Sequence, residues 1–195
     1  MEKNKKLEIS AENALNAYNN TDANGRELLE HLFGKELFEP KNIMERVKTF
    51  EDAVKVIGDN NASVNQYLFV ANGPEMDETG KDLLAFLKLR IIAEALNEGW
   101  KPKFDGDERR WYPYFYIYTK EEYDRLDEDD KKRCRVVGRA YSGASVLGGV
   151  VYAYASYAWS HSYASVGSRL AFRTEELAEY CGKQFIDLWI DFLLS

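Results

Sequence analysis

The sequence predicts an α+β fold: short helices first, a small antiparallel sheet next, and a closing helix last. Three observations carry that expectation. Residues 1–99 place apolar side chains at helical spacing between Ser, Thr and Gly punctuation. Trp111 to Tyr118 (WYPYFYIY) alternates instead with period two and is rich in aromatics. After Thr174, the residues Leu177, Cys181, Phe185, Leu188 and Phe192 return to one helical stripe. No linker-like composition separates these parts. They are expected to form a single compact domain over 1–195, with a mainly helical scaffold at 1–99, a sheet-bearing part at 100–172 and the closing helix at 173–195.

The elements follow in order. Ser10 is placed to cap a helix with Ala11, Ala14, Leu15 and Tyr18 on one side. A second helix from Asn24 to Phe33 groups Leu28, Leu29, Leu32 and Phe33 and stops at Gly34. His31 within it is expected to be partly buried and structural. Ile43, Met44 and Val47 suggest another turn or two after Pro40. Thr49 caps a short helix with Phe50, Ala53, Val54 and Ile57 inward, ended by Gly58. From Asp59 to Pro74 the polarity rises, and NQYLFVANGP fits a short strand or, as preferred here, an ordered loop, with Leu68 and Val70 buried. The clearest helix starts at Thr79, carries Leu83, Leu84, Leu87, Ile91, Ala95 and Leu96 as a stripe, and ends at Gly99.

Beyond Gly99 the pattern changes. In the Trp111–Tyr118 strand, Trp111, Pro113, Phe115 and Ile117 share one face and four tyrosines the other. Pro113 cannot donate to a ladder, so it belongs on an edge or near the strand start. Thr119 to Glu122 is a capping-box pattern that opens a charged helical stretch through about Lys132. Its acidic run Asp127 to Asp130 lacks the Gly and terminal Glu of an EF-hand and reads as a solvated helix end. Cys134 to Ala140, Gly149 to Ala155 and Gly167 to Phe172 read as strands.

Composition removes several function classes. With 195 residues, 45% of them hydrophobic, the chain can bury one sizeable core. A formal charge of −7 lacks the basic footprint of a nucleic-acid binder, and Lys3, Lys5 and Lys6 read as a solvated terminus. No apolar run approaches the ~18 residues of a membrane span, so no membrane insertion is expected. MEKNKKLEIS lacks the apolar h-region of a Sec signal, which points to the cytoplasm or to a virus particle. Two cysteines and two histidines cannot supply a standard zinc set. Cys134 and Cys181 are expected as free thiols packed like small hydrophobes, and no cofactor is expected.

The sequence carries no recognisable catalytic constellation. G-x-S-x-G, Walker, H-E-x-x-H and G-x-G-x-x-G patterns are all missing. Ser160 and Ser162 flank His161, but triad members meet in space rather than in sequence and need an orienting carboxylate. The pair Gly148-Gly149 has no following Lys-Ser/Thr and reads as a turn or bulge. The chain is therefore expected not to be an enzyme.

One stretch stands apart from the rest. The chain is 30% charged, yet from Gly138 to Ser168 (GRAYSGASVLGGVVYAYASYAWSHSYASVGS) Arg139 is the only permanently charged side chain. Tyr, Ser, Gly and Ala dominate it. That mixture suits a contact surface, where Tyr supplies area at low entropy cost and Ser and Gly supply adaptability.

The segment from Val137 through Phe172, with Gly138-Arg139 near its start and Gly167-Ser168-Arg169-Leu170-Ala171-Phe172 at its end, resembles the variable region of a diversity-generating retroelement target protein. In that family a reverse transcriptase misincorporates at template adenines. Asn codons of the AAY type then yield Tyr, Ser, His, Asp, Gly, Ala, Val and similar residues, but never Lys, Glu, Gln, Met or Trp. Gly138–Ser168 contains no Lys, Glu, Gln or Met, and its one Trp, Trp159, would belong to the scaffold. The arrangement from Trp100 onward is also similar to proteins of gut Bacteroidales and their phages. The resemblance implies a C-type-lectin-like fold, with the G-x-R-L-A motif at Gly167 to Ala171 near its final core strand. It departs from the family in two respects. A helix follows the motif, and the carboxylate and Asn triplets of calcium-dependent lectins are missing, which argues against calcium and lectin-style sugar chelation.

The resemblance implies that Tyr141, Ser142, Ser145, Tyr152, Tyr154, Ser156, Tyr157, Ser160, His161, Tyr163 and Ser165 are the displayed ligand-binding positions. Alternation adds that Tyr152, Tyr154 and Ser156 point one way from their strand and Val151, Ala153 and Ala155 the other. Arg169 is expected to be a scaffold residue paired with a carboxylate. Whether Tyr112, Tyr114, Tyr116 and Tyr118 extend the same surface or pack against neighbours stays open. The implied function is non-catalytic receptor binding by a phage tail-associated protein, its partner a bacterial cell-surface protein or glycan. Two other readings stand beside it: a phage or mobile-element structural protein using the Tyr-rich face as a homo-oligomer interface, and an enzyme with a site around His161 and the Tyr112–Tyr118 strand.

Overall fold

In a computed structural model of the protein, residues 8–73, 80–103, 107–136, 149–159 and 168–194 are described. The chain divides between Arg46 and Val47 into two units. Among the described residues it is a mixed α+β structure of ten α-helices and one three-stranded antiparallel sheet. No helix among them is long and apolar enough to cross a membrane.

The first unit holds α1 (Ala11–Asn19), α2 (Ala23–Phe33) and α3 (Ile43–Arg46). Ser10 Oγ accepts the Asn13 N–H at 3.2 Å and Asp22 Oδ1 accepts the Gly25 N–H at 2.9 Å, so both longer helices are capped by short polar side chains. Gly34 ends α2 at φ 84°, a conformation that favours glycine. The unit packs through Tyr18. Its ring stacks on Phe38 at 4.3 Å, its hydroxyl donates to Glu30 Oε1 at 2.5 Å, and the Arg26 guanidinium lies 5.5 Å from the ring centre. The expected α2 stripe does not form a buried seam, since Leu28 and Leu32 remain exposed. His31 is exposed as well, with Nε2 4.0 Å from Glu27 Oε1 one turn away, which corrects the expectation of a partly buried structural histidine.

The second unit is built around α6 (Lys81–Leu96). Leu89, Ile91, Ile92, Ala95 and Leu96 have no exposure at all. The helix is buried on several sides rather than along the single stripe read from the sequence, because α4 (Phe50–Ile57), α5 (Ala62–Ala71) and α10 (Ile186–Leu194) all pack on it. Thr49 and Asp52 close a reciprocal capping box at the start of α4, and Gly58 ends it at φ 86°. Thr79, the expected start of α6, lies outside the described residues.

The helix α5 occupies most of the stretch expected to be a loop, and Leu68, expected to be buried, is exposed on it. Its polar residues are cap and anchor rather than loop signals. Asn61 Oδ1 accepts the Ser63 N–H at 2.7 Å, while Asn61 Nδ2 and Ser63 Oγ donate to the two oxygens of Glu94 on α6 at 2.8 and 2.7 Å. Satisfied in this way, Ser63 and Val64 can be buried.

The sheet runs β1 (Arg109–Ile117), β3 (Gly149–Trp159), β2 (Arg135–Val136), with β3 in the middle and both pairings antiparallel. Pro113 sits on the edge strand, as its missing N–H requires. On that free edge Trp111 exchanges two backbone hydrogen bonds with Phe172, each 2.9 Å. Alternate residues of a strand direct their N–H to the same edge, so the next donor position on this side is Pro113, and the pairing stops after one bridge.

Residues 168–172 therefore are not the expected strand. Ser168–Leu170 is a 3-10 turn, and only Phe172 joins β1. A side chain explains the difference. Asn97 Nδ2 donates to the Ala171 carbonyl at 2.8 Å, and Asn97 Oδ1 accepts the Arg173 N–H at 3.0 Å. These bonds satisfy the backbone that a ladder would otherwise have to pair, and Leu170, Ala171 and Phe172 are buried.

Thr119 caps α7 (Lys120–Asp124) with the expected box to Glu122, and Asp127 caps α8 (Glu128–Arg133). Thr174 caps α9 (Glu175–Gln184). The expected single closing helix is two, since Phe185 leaves helical geometry at φ −113°, ψ 31°. The break serves packing: α9 lies on β1 and β3, whereas α10 lies on α6. Cys134 and Cys181 are free thiols.

Candidate ligand-binding face

The register between β1 and β3 decides which side chains share a surface, because residues directly opposite in a ladder project to the same side. From Arg109↔Trp159 to Tyr114↔Tyr154 the pairing is regular, and it then shifts so that Phe115 pairs with Tyr152. Ala153 is the extra residue of a β-bulge. The bulge places Tyr152 opposite Phe115, on the side of Pro113, while positions 154 and 156 lie opposite Tyr114 and Tyr112. The strict alternation that grouped Tyr152 with Tyr154 and Ser156 is thereby corrected.

The side bearing Pro113, Phe115 and Tyr152 is covered by α9 and α10. Phe115 lies 6.2 Å from the Tyr152 ring and 5.5 Å from Trp189. Lys183 of α9 holds its Nζ 5.2 Å from the Tyr152 ring centre. Burial, with Glu179 and Glu175 adding to it, pushes the Tyr152 hydroxyl up to about 12. Tyr152 is thus a packing residue at this position. At the far end of the same side, Tyr157 is 40% exposed, with its ring 5.1 Å from Trp111 and 4.5 Å from the Arg109 guanidinium.

The opposite side carries the tyrosines of β1. Tyr112 is buried, and burial raises its hydroxyl pKa. Tyr114 and Tyr116 are 40% and 56% exposed, and the Tyr116 and Tyr118 rings lie 6.2 Å apart. The question left open by the sequence resolves residue by residue: Tyr112 packs, whereas Tyr114 and Tyr116 stand out beside the positions of Tyr154 and Ser156. Of the other expected ligand-binding positions, Tyr141, Ser142, Ser145, Ser160, His161, Tyr163 and Ser165 lie outside the described residues, as do Arg139 and Gly167.

A groove of about 650 Å³ runs between the end of α8, β3 and α9, lined in part by Lys132, Cys134, Tyr152 and Glu179. Burial raises the Cys134 thiol, with Asp130 reinforcing it, so the sulfur stays protonated near neutral pH and is a poor nucleophile. Among the described residues no cluster of His, Cys, Asp and Glu could hold a metal ion.

Arg169 departs from expectation. It is exposed, and among the described residues no carboxylate lies within ion-pair distance of it. Glu98, at the end of α6, pairs instead with Arg173 at 2.5 Å. The pairing is not legible in the sequence, because Glu98 and Arg173 lie far apart along the chain and meet only where Asn97 Oδ1 accepts the Arg173 N–H at the end of α6. No family model matches the chain, and no curated protein or solved structure matches it at a significant level.

Proposed function

We propose that the protein is a non-catalytic receptor-binding protein. Its Gly138–Ser168 stretch, joined by the outer tyrosines of β1, is a diversified contact surface carried on a C-type-lectin-like scaffold. The display platform is a phage tail and the partner a bacterial surface protein or glycan. The observation that carries this reading is the exposure of Tyr114 and Tyr116 on the ladder side that holds positions 154 and 156. Exposed aromatic side chains on a rigid strand bury large area in a partner's pockets at small entropic cost. The charge-poor, Tyr/Ser-rich composition of the adjoining stretch suits the same task.

The test is the spectrum of natural variation together with binding. Copies of the gene taken from one host population should differ at codons such as 141, 142, 160, 161 and 163, and should keep those of Trp159 and Arg169 to Phe172 unchanged. Uniform copies, or changes spread evenly along the gene, would sink the diversification. Labelled protein should bind a subset of Bacteroidales strains and lose binding in the Tyr114→Ala/Tyr116→Ala double variant. A stable oligomer that covers Tyr114 and Tyr116 would instead assign this face to self-assembly.

A further inference from the structure

A second cavity lies away from the tyrosine face, where the C-terminal end of α6, the first turn of α5 and the turn carrying Arg169 come together. Its volume is about 510 Å³. The Asn97 clamp holds the backbone at Ala171 and Arg173, just after Arg169. At the end of α6, Glu98 and Gly99 take φ values of 48° and 84°, and the turn they make brings Trp100 and Lys101 to the rim. Trp100 is itself oriented, since its indole N–H donates to Glu108 Oε1 at 2.8 Å.

The charge of this cavity is opposite to that of the chain. The protein carries −7 overall, whereas Arg90, Lys101 and Arg169 line the cavity against one carboxylate, Glu94. That carboxylate is occupied at both oxygens by the neutral donors Asn61 and Ser63. Arg90 spends Nη1 on the neutral amide of Gln66 at 2.7 Å. Among the described residues, none of the three cations has a carboxylate within ion-pair distance. Two guanidinium groups facing one space repel each other. The Arg90 pKa is lowered first by burial and next by Arg169, with Glu94 opposing. An oxyanion between them would relieve the repulsion and match the planar fork of each guanidinium.

We propose that this cavity is a binding site for a small organic oxyanion, a carboxylate or phosphate monoester, gripped by Arg90 and Arg169 with Lys101 as a further charge. The volume exceeds what a bare phosphate fills and falls in the range of small-molecule sites, ~300–1,000 Å³. The body of the ligand lies along Trp100. The site needs nothing from the tyrosine face and stands whether or not that face binds a receptor.

The experiment is titration of the full-length protein with phenyl phosphate, benzoate and inorganic phosphate at constant ionic strength, read by calorimetry and by the Trp100 indole N–H resonance, assigned through Trp100→Phe. Saturable binding is expected, tighter for phenyl phosphate or benzoate than for inorganic phosphate. Arg169→Gln, a surface change, and Arg90→Lys, which keeps the charge but removes the fork, should each weaken it by roughly tenfold or more. The Tyr114→Ala/Tyr116→Ala variant should bind as the wild type does. No saturable binding by any of the three anions, or equal binding in Arg169→Gln and Arg90→Lys variants of unchanged melting temperature, overturns the proposal.

Discussion

A β-carbon on Gly182 would stand 2.6 Å from Cδ2 of Tyr152 and 2.8 Å from Cβ of Pro113. The helix α9 can lie on the sheet this closely only because one of its residues has no side chain. Glycine inside a helix costs about 1 kcal/mol relative to alanine, so Gly182→Ala would help an isolated helix. Here the contact outweighs propensity, because Pro113 belongs to a strand and cannot rotate away. Gly182→Ala is expected to lose about 1–3 kcal/mol of stability in urea unfolding. A variant as stable as the wild type would show that Tyr152 does not press on α9.

The Tyr152 hydroxyl supplies a pH signature. Its pKa rises from the ordinary 10.0 to about 12 on folding, chiefly through burial. Between these values the unfolded chain releases the proton and the folded chain keeps it. The contribution is therefore complete below pH 10 and is lost as the pH rises toward 12. Urea midpoints measured across that window should fall more steeply for the wild type than for Tyr152→Phe. Parallel curves would place the ring in water.

Asn97 holds together parts of the chain more than seventy residues apart in sequence, at Ala171 and Arg173. Removing its amide strands a buried carbonyl and an N–H. Asn97→Ala should cost at least about 2 kcal/mol. It should also weaken the oxyanion binding, since the backbone just after Arg169 is no longer held. An unchanged melting temperature would show that water replaces the amide without loss.

The two thiols should differ in reactivity. Cys181 is fully buried, and burial pushes its pKa up to about 12. Cys134 is only half-buried. An aromatic disulfide reagent should modify Cys134 slowly in the native protein and reach Cys181 only as fast as the protein unfolds. Equal rates for both would contradict the packing of α9 against β1 and β3.

The local signals were legible in order. Ser10, Thr49, Thr119 and Thr174 cap the helices they were expected to cap, and Gly34 and Gly58 end the helices they were expected to end. A cap is decided within four residues, and its chemistry is written in the side chains themselves. The errors share one cause. Asn61 and Ser63 look like loop residues until Glu94, far away in sequence, supplies their partner. Gly167 to Phe172 looks like a strand until Asn97 takes its backbone.

The candidate face follows the same division. The sequence by itself determined that β1 and β3 are aromatic strands, that Pro113 sits at an edge and that one stretch, Gly138–Ser168, is nearly free of charge. It could not determine which tyrosines face outward. Side-chain direction in a strand has period two, so one extra residue reverses everything beyond it. The bulge at Ala153 arises from pairing between strands distant in sequence. Only the tertiary structure decided that Tyr152 packs on α9 while Tyr114 and Tyr116 stand exposed, because that choice depends on a register no single strand encodes.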